Sequence, residues 1–240
     1  KNKNSYEIEN FQLFNDKNKF SINNLNFDKK LKIINFNLIE ANFYNNKNFL
    51  NNILFERRNG KINIISNQLD ISLNLEKILR SSEDFEILKY FKSLNTLINI
   101  DIKLAKLDDD HNLINIIGEA EITNNKIDKA NISANFEQKG NFIYTKNEIE
   151  GKKVTTIFSD LAKPFVKKFK FIKGFEDGNL DYTSTEINED LSKSELRIYN
   201  FKLQNMPALT KLLSLASLQG IADLATGEGI RFNEFDMFFD

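Results

Sequence analysis

The side chains with the most obvious catalytic potential lie in short polar stretches between strand-like segments. His111 is the only histidine of the chain, and it follows three consecutive aspartates in the stretch 108–112. Carboxylate and imidazole groups this close together could hold a metal ion, but the stretch lacks the central glycine and the closing glutamate of an EF-hand loop. A polar stretch of this length between amphipathic strands is typical of a hairpin turn, which we predict here.

Carboxylates two residues apart are a second possible source of chemistry. Glu119 with Glu121 and Glu148 with Glu150 have this spacing. In a strand, residues i and i+2 share a face, so each pair could act as the two acids of a glycosidase. The same spacing arises on any solvated strand face, and the chain has no Trp to form a sugar platform. We therefore predict that the chain is not an enzyme and needs no cofactor.

The composition excludes several other classes of protein. The absence of Cys excludes a disulfide framework, a thiol nucleophile and a thiolate metal site, and a single His excludes a histidine-rich metal centre. A formal net charge of −1 argues against a nucleic-acid partner, because such proteins carry a basic excess. With 41% hydrophobic and 28% charged residues the chain can bury a core.

Asparagine is the most unusual feature of the composition. The chain has 35 Asn but only 9 Gly and 2 Pro, so residues other than Gly and Pro must form many of its turns. Asn tolerates the left-handed backbone conformation and its side chain bonds nearby backbone groups. We predict turns at Asn23-Asn24, Asn45-Asn46, Asn59-Gly60 and Asn124-Asn125.

The elements that position these residues are mostly strands. Apolar residues alternate with polar ones along most of the chain, which predicts strands. The predicted strands are 6–14, 19–27, 31–44, 47–56, 61–73, a strand from 98 up to the 108–112 turn, 113–123, 126–137, 140–149, 152–158, 179–186, 193–204 and a last strand from 230. Apolar residues at steps of three and four predict helices within 74–97, 159–170 and 207–226, with turns at Gly174 and Asp177-Gly178.

The fold predicted from this pattern is mainly β: a long antiparallel meander with two or three short amphipathic helices packed on it. No linker separates the halves, and the only plausible seam is the helical region at 74–97. We therefore divide the chain into a β-rich segment, 1–97, and a second β-sheet segment, 98–240. Because the sequence begins at Lys1 and ends within a predicted strand, we expect it to be a fragment of a longer chain.

The region from 200 to 232 resembles a known family. It reads as a strand, a proline step, an apolar helix and a returning strand, and it is similar to the motif near the C-terminal end of the YhdP branch of the AsmA-like proteins. The residues that carry the match are Pro207, Leu212, Leu213, Ser217, Leu218, Gly220, Asp223, Leu224, Gly227 and Gly229. Ala225 departs from the motif, which usually has a second leucine there. A weaker match covers 159–180, where Asp177 replaces a glycine, and the resemblance extends over about 98–236.

The resemblance implies a fold and a function. AsmA-like proteins are large envelope proteins of Gram-negative bacteria, anchored in the inner membrane by an N-terminal helix and extended through the periplasm. Their strands curl into an elongated sheet with an apolar groove, which is thought to carry phospholipid between the inner and outer membranes. By this resemblance we expect a periplasmic segment that binds phospholipid acyl chains and supports outer-membrane integrity. Its further partners would be the inner membrane, through an anchor outside this sequence, and an outer-membrane component.

Two functional hypotheses stay open at this point. In the first, alternating apolar residues line a lipid groove, and the candidates are Ile98, Ile100, Ile102, Leu104, Ile114 and Ile116. In the second, the chain is a non-catalytic structural or adhesin-like β-solenoid or sandwich with a sealed core. The same alternation would line either structure, so the sequence does not separate them.

Overall fold

The computed structural model describes residues 5–72, 86–166, 174–188, 191–204 and 229–240. Within these residues, fifteen strands belong to one mixed sheet that is not closed. The strands are β1 (Ser5–Phe14), β2 (Lys19–Asp28), β3 (Ile33–Asn35), β4 (Leu38–Tyr44), β5 (Leu50–Arg58), β6 (Lys61–Ser66), β7 (Leu69–Asp70), β8 (Thr96–Lys106), β9 (Asn112–Thr123), β10 (Lys126–Phe136), β11 (Asn141–Ile149), β12 (Lys152–Ser159), β13 (Phe175–Glu186), β14 (Ser192–Leu203) and β15 (Ile230–Phe239).

Thirteen of these strands lie side by side in the order β1-β2-β4-β5-β6-β8-β9-β10-β11-β12-β13-β14-β15. The short strands β3 and β7 lie off this path and pair with β2 and β8. The mainly β class is therefore confirmed. The predicted boundary between residues 97 and 98 falls inside β8, and the sheet continues on both sides of it.

The prediction of a purely antiparallel meander is wrong at one junction. β6 and β7 both pair with β8 in parallel, whereas the other paired strands are antiparallel. Two parallel neighbours cannot be joined by a tight hairpin, so the chain must return to the start of the next strand through a longer crossover. The described parts of this crossover, 67–72 and 86–95, contain β7 and a short 3-10 helix.

The prediction of two or three amphipathic helices is not confirmed. The part of 74–97 that the structure describes holds a five-residue 3-10 helix, Glu86–Tyr90. Within 159–170 the structure describes the helical residues of α1 (Lys163–Val166), and Ser159 still belongs to β12. Pro164 is buried in the first turn of α1, where a missing N–H is tolerated. The predicted helix 207–226 lies outside the described residues.

Asparagine does supply much of the turn chemistry. Of the eleven described non-glycine residues with positive φ, seven are Asn. Asn124 and Asn125 both have positive φ in the β9–β10 hairpin, and Asn59-Gly60 forms the β5–β6 hairpin in the same way. Two positive φ values in succession match the right-handed twist of the flanking strands. The Asn45 side chain accepts the backbone N–H groups of Lys47 and Phe49 and so closes the β4–β5 turn.

Two predicted turns lie within strands instead, as left-handed backbone positions that leave the register unchanged. Asn24 has φ 49° inside β2, and pairing with β1 continues on both sides of it. Asp177 and Gly178 have φ 61° and 84° inside β13, opposite Asn200 of β14. A left-handed residue need not end the ladder, so the same residue types can mark a turn or a position inside a strand.

The buried residues form two clusters on one face of the sheet. The first contains residues of β8 to β14 together with Phe165 and Val166 of α1. The second contains Phe36 and Ile62 with Leu88, Phe91 and Leu94 from the crossover. Both helical elements therefore lie on this face, which we call the apolar face.

Gly118 of β9 lies where the neighbouring strand leaves no space for a side chain. A Cβ atom at Gly118 would lie 2.5 Å from the backbone oxygen of Asn131 and 2.8 Å from Cα of Ile132. Both contacts are with the neighbouring strand β10, and a backbone atom cannot rotate away as a side chain can. The absence of a side chain at Gly118 therefore allows β9 and β10 to approach each other.

We predict that Gly118→Ala lowers the free energy of unfolding by about 2 kcal/mol or more, because the new methyl group overpacks the β9–β10 interface. Ser133→Ala is the matched control, since Ser133 is exposed on β10 and its replacement should change stability by less than about 0.5 kcal/mol. Urea denaturation measures both. Equal stabilities for the two variants would contradict this account of Gly118.

Candidate functional site

The register of the sheet aligns one residue from each of the thirteen strands, and every one of them except Gly118 has an apolar or aromatic side chain. We call this line the apolar row: Phe11, Ile22, Ile39, Phe55, Ile64, Ile100, Gly118, Ile132, Tyr144, Ile157, Tyr182, Leu196 and Met237. Each residue is the Cα partner of the next, so the row crosses the sheet without a gap. At about 4.8 Å between neighbouring strands, its path along the sheet is about 58 Å long.

The next residues along the same strands form a line of opposite character on the other face. This polar row consists of Asn10, Asn23, Leu38, Glu56, Asn63, Asn99, Glu119, Asn131, Thr145, Thr156, Thr183, Glu195 and Phe238. Asn23 donates to Asn10 at 2.8 Å, and Asn99 donates to Asn63 at 2.9 Å. Cross-strand amide pairs of this kind are favourable on a solvated face. The excess of Asn therefore serves the polar face as well as the turns.

The apolar row is only partly covered. Phe11, on the edge strand β1, is 43% exposed. The residues of the row on β2 to β11, from Ile22 to Tyr144, are half-buried rather than buried. At the other end Ile157 and Leu196 are buried, and nearby α1 stacks Phe165 on Phe142 with ring centroids 5.5 Å apart. A molecule approaching the apolar face would therefore reach the row most easily between β1 and β11.

The six predicted groove residues divide between the two faces. Ile100 belongs to the apolar row, and Ile98, Ile102 and Ile116 pack into the clusters of the apolar face. Leu104 and Ile114 are partners of each other, next to the buried pair Ala105 and Leu113. Because adjacent strand residues point to opposite faces, Leu104 and Ile114 lie on the polar side.

The positive φ of Asn115 explains this division. At φ 53° the residue forms a bulge in β9, where the inward positions change from odd numbers before it to even numbers after it. Leu113 and Phe136 are partners beyond the bulge, and both are buried on the apolar face. The sequence prediction assumes an uninterrupted two-residue period through 113–116 and therefore assigns Ile114 and Ile116 to the same face.

The residues of the family-like motif are mostly outside the described part of the chain. This holds for Pro207, Leu212, Leu213, Ser217, Leu218, Gly220, Asp223, Leu224 and Gly227. Gly229 is described: its φ is 86°, and an added Cβ would lie 2.9 Å from the backbone oxygen of Leu203. The glycine therefore permits both the backbone turn before β15 and its close approach to β14.

Buried polar groups lie beside the apolar row on β11 to β14. Lys146 is only 8% exposed, and its Nζ lies 2.7 Å from Oε1 of Glu186. The hydroxyl of Ser194 donates to the hydroxyl of Ser184 at 3.0 Å. Thr155, between Lys146 and Ser184 in the register, is also buried. These groups form a polar patch at one margin of an otherwise apolar surface.

Lys153 is a second cation at this margin. Its Nζ lies 2.7 Å from Oδ1 of Asp128 and 3.0 Å from Oε2 of Glu148. Hydrogen bonding to Asp128 raises the pKa of Lys153, against the opposing effect of desolvation. The positive charge of Lys153 is thus already balanced by protein carboxylates, as is that of Lys146.

The groups considered for catalysis have structural roles. The stretch 108–112 forms the predicted turn between β8 and β9, and Oδ1 of Asp108 accepts the backbone N–H groups of Asp110 and His111, each at 2.8 Å. Ligand atoms of these three residues lie within 4.8 Å of one another, but Asp108 is already engaged in closing the turn. Glu119 and Glu121 are exposed on the polar side, and Glu121 pairs with Lys129 at 3.6 Å.

Sequence reasoning missed the polar groups on the apolar face. Tyr144 and Lys146 alternate with outward residues of β11, so their inward direction follows from the strand period alone. The local pattern does not indicate that this inward lysine is buried, because its burial depends on the pairing with Glu186 two strands away.

Tyr144 provides a test of how far this surface is desolvated. Burial raises the pKa of Tyr144 from 10.0 to about 12, against a smaller opposing effect of its hydrogen bond with Thr155. The neutral phenol is thus favoured in the folded state. Its contribution to stability is complete below pH 10 and is lost as the pH rises towards the folded-state pKa.

We predict that the wild-type chain loses about 2 kcal/mol more unfolding free energy than Tyr144→Phe between pH 9.5 and about 12. The other titrating groups are shared by both proteins and cancel in the difference. Urea denaturation across this pH range measures it. Parallel losses for the two proteins would show that Tyr144 is solvated.

Among the described residues, no helix is both long enough and apolar enough to cross a membrane. Comparison with known proteins found no match to a family model, a curated protein or a solved structure. Membership of the AsmA-like family therefore stays a prediction from the sequence motif.

Proposed function

We propose that this chain carries phospholipid along the apolar face of its sheet, as the periplasmic segment of an inner-membrane-anchored AsmA-like protein. In this role it moves lipid between the inner and outer membranes and supports outer-membrane integrity. The single observation that carries the proposal is the apolar row. The motif at 200–232 supports the assignment to this family.

The continuity of the row matters energetically. An acyl chain that leaves an apolar surface for water loses about 0.8 kcal/mol for each CH₂ group exposed. A lipid crossing the sheet from β1 to β15 meets an apolar or aromatic side chain, or Gly118, on every strand. Successive positions are therefore similar in free energy, and movement between them needs no chemical step.

The difference in polarity between the two faces also supports lipid binding on the apolar face. Eleven of the thirteen residues of the polar row are Asn, Glu or Thr, so that row can face water without a covering layer, although exposed isoleucines such as Ile117 lie on the same face. The half-buried residues of the apolar row, in contrast, gain free energy when another apolar molecule covers them. A lipid tail is one such molecule.

A structural β-protein with a sealed core is the second candidate. It is favoured by the burial of Ile157 and Leu196 and by the packing of α1 against Phe142. Against it, the described strands form one sheet rather than the two facing sheets of a sandwich. A solenoid would need parallel neighbours throughout, whereas among the described strands only the pairs β6–β8 and β7–β8 are parallel.

Site-specific photocrosslinking tests the proposal. A photoreactive amino acid replaces Ile100 of the apolar row or its neighbour Asn99 of the polar row, and each purified protein is irradiated with phospholipid vesicles. We predict phospholipid adducts from position 100 and few or none from position 99, because only the first faces the apolar surface. Mass spectrometry identifies the adducts, and circular dichroism checks that both proteins fold.

Position 99 is the matched control for position 100, because the two residues are adjacent on β8 and differ in the face to which they point. Absence of phospholipid adducts at position 100, or equal yields at both positions, would contradict the proposed function. The first result would favour the sealed core.

A further inference from the structure

Arg57 introduces a guanidinium group on the apolar face. It is the Cα partner of Ile62, which is 3% exposed in the cluster with Phe36 and Phe91. Two residues earlier on β5, Phe55 belongs to the apolar row. The Arg57 side chain therefore starts beside the row, on the same face, and not among the amides and carboxylates of the opposite face.

The register connects Arg57 with the polar patch on β11. One line of Cα partners runs from Arg57 through Ile62, Ile98, Ala120 and Ala130 to Lys146. This line lies two residues from the apolar row along each strand. The two cations are thus on the same margin of the row, with four apolar residues between them.

Arg57 and Lys146 differ in how their charges are satisfied. Lys146 has a carboxylate of Glu186 at 2.7 Å. The Nη1 atom of Arg57 is buried and has no hydrogen-bond partner among the described residues. A buried donor of a charged group without an acceptor is costly, so a bound molecule that supplied an acceptor would lower the free energy of this site.

The ligand that fits this surface has an anionic group and long apolar chains. Guanidinium presents a planar set of N–H donors that matches two phosphate oxygens at once. We propose that Arg57 binds the phosphate of a phospholipid whose acyl chains lie along the apolar row. This inference rests on the proposed function and adds the position of the headgroup. Inorganic phosphate offers the same oxygens, so the test must separate the two sources.

The test compares lipids that differ only in the headgroup. Wild-type protein and variants are incubated with vesicles that contain either phosphatidylglycerol or diacylglycerol of the same acyl chains, and protein-bound lipid is quantified after separation from the vesicles. Arg57→Met keeps an extended apolar side chain but removes the charge. We predict that it reduces bound phosphatidylglycerol about tenfold or more, and leaves bound diacylglycerol unchanged.

Arg58→Met is the matched control. Arg58 is the next residue of β5 and is exposed as the partner of Lys61, so its replacement removes the same charge from outside the apolar face. We expect wild-type lipid binding for this variant. Arg57→Lys is the second variant: it keeps the charge without the two-pronged geometry and should bind phosphatidylglycerol at a level between wild type and Arg57→Met. Thermal unfolding establishes that all variants fold.

The outcomes separate this inference from the proposed function. Equal phosphatidylglycerol binding by wild type and Arg57→Met overturns the role of Arg57, while the proposed function survives if lipid is still bound. A wild-type protein that binds neither lipid overturns both. If inorganic phosphate binds wild type but not Arg57→Met, and phosphatidylglycerol binding is unaffected by the substitution, Arg57 is a site for free phosphate and the headgroup assignment is overturned.

Discussion

The structure depends on the register of its hydrogen-bonded ladder. Because side chains alternate strictly between faces, one correct register on every strand places thirteen apolar or glycine positions on one face and a polar row on the other. A slip of one residue that brought the polar row onto the apolar face would place Asn, Glu or Thr there on eleven of the thirteen strands. The apolar row and the polar row are thus two consequences of the same constraint.

Tight turns hold this register. The hairpins at Asn59-Gly60 and Asn124-Asn125 have left-handed residues in both central positions, which fixes the length and twist of the connection. Gly118 allows β9 and β10 to come close enough for the pairing of Glu119 with Asn131. The abundance of Asn therefore has a structural explanation in this chain: Asn forms turns, bulges and cross-strand pairs in a sequence with few glycines.

The strands could be predicted from the sequence because their signal is local. The predicted strands 113–123 and 126–137 agree closely with Asn112–Thr123 and Lys126–Phe136, since an alternating pattern and an Asn-Asn turn lie within one stretch. The parallel pairing of β6 with β8 could not be predicted, because it depends on contacts between residues far apart in the chain. The groove candidates Leu104 and Ile114 lie on the opposite face from Ile100, because the alternation changes face near the bulge at Asn115, which the sequence pattern does not mark.

The apolar row itself is a property of the register and not of any one strand. Ile100 could be recognised as inward from its own strand, but its alignment with Ile64 and Gly118 required the pairing. The same is true of Arg57, whose neighbours on the apolar face come from other strands. The proposed function would depend on a surface assembled from thirteen strands.

Isoleucine methyl groups offer the most direct test, because the chain has isoleucines on both faces. In a protein with labelled isoleucine methyl groups, a phospholipid carrying a nitroxide on its acyl chain broadens the NMR signals of nearby methyls. The account predicts strong broadening for Ile39, Ile64, Ile100 and Ile132 of the apolar row, and little change for Ile65, Ile117 and Ile143 on the other face. Equal broadening on both faces, or none on the apolar row, would contradict it.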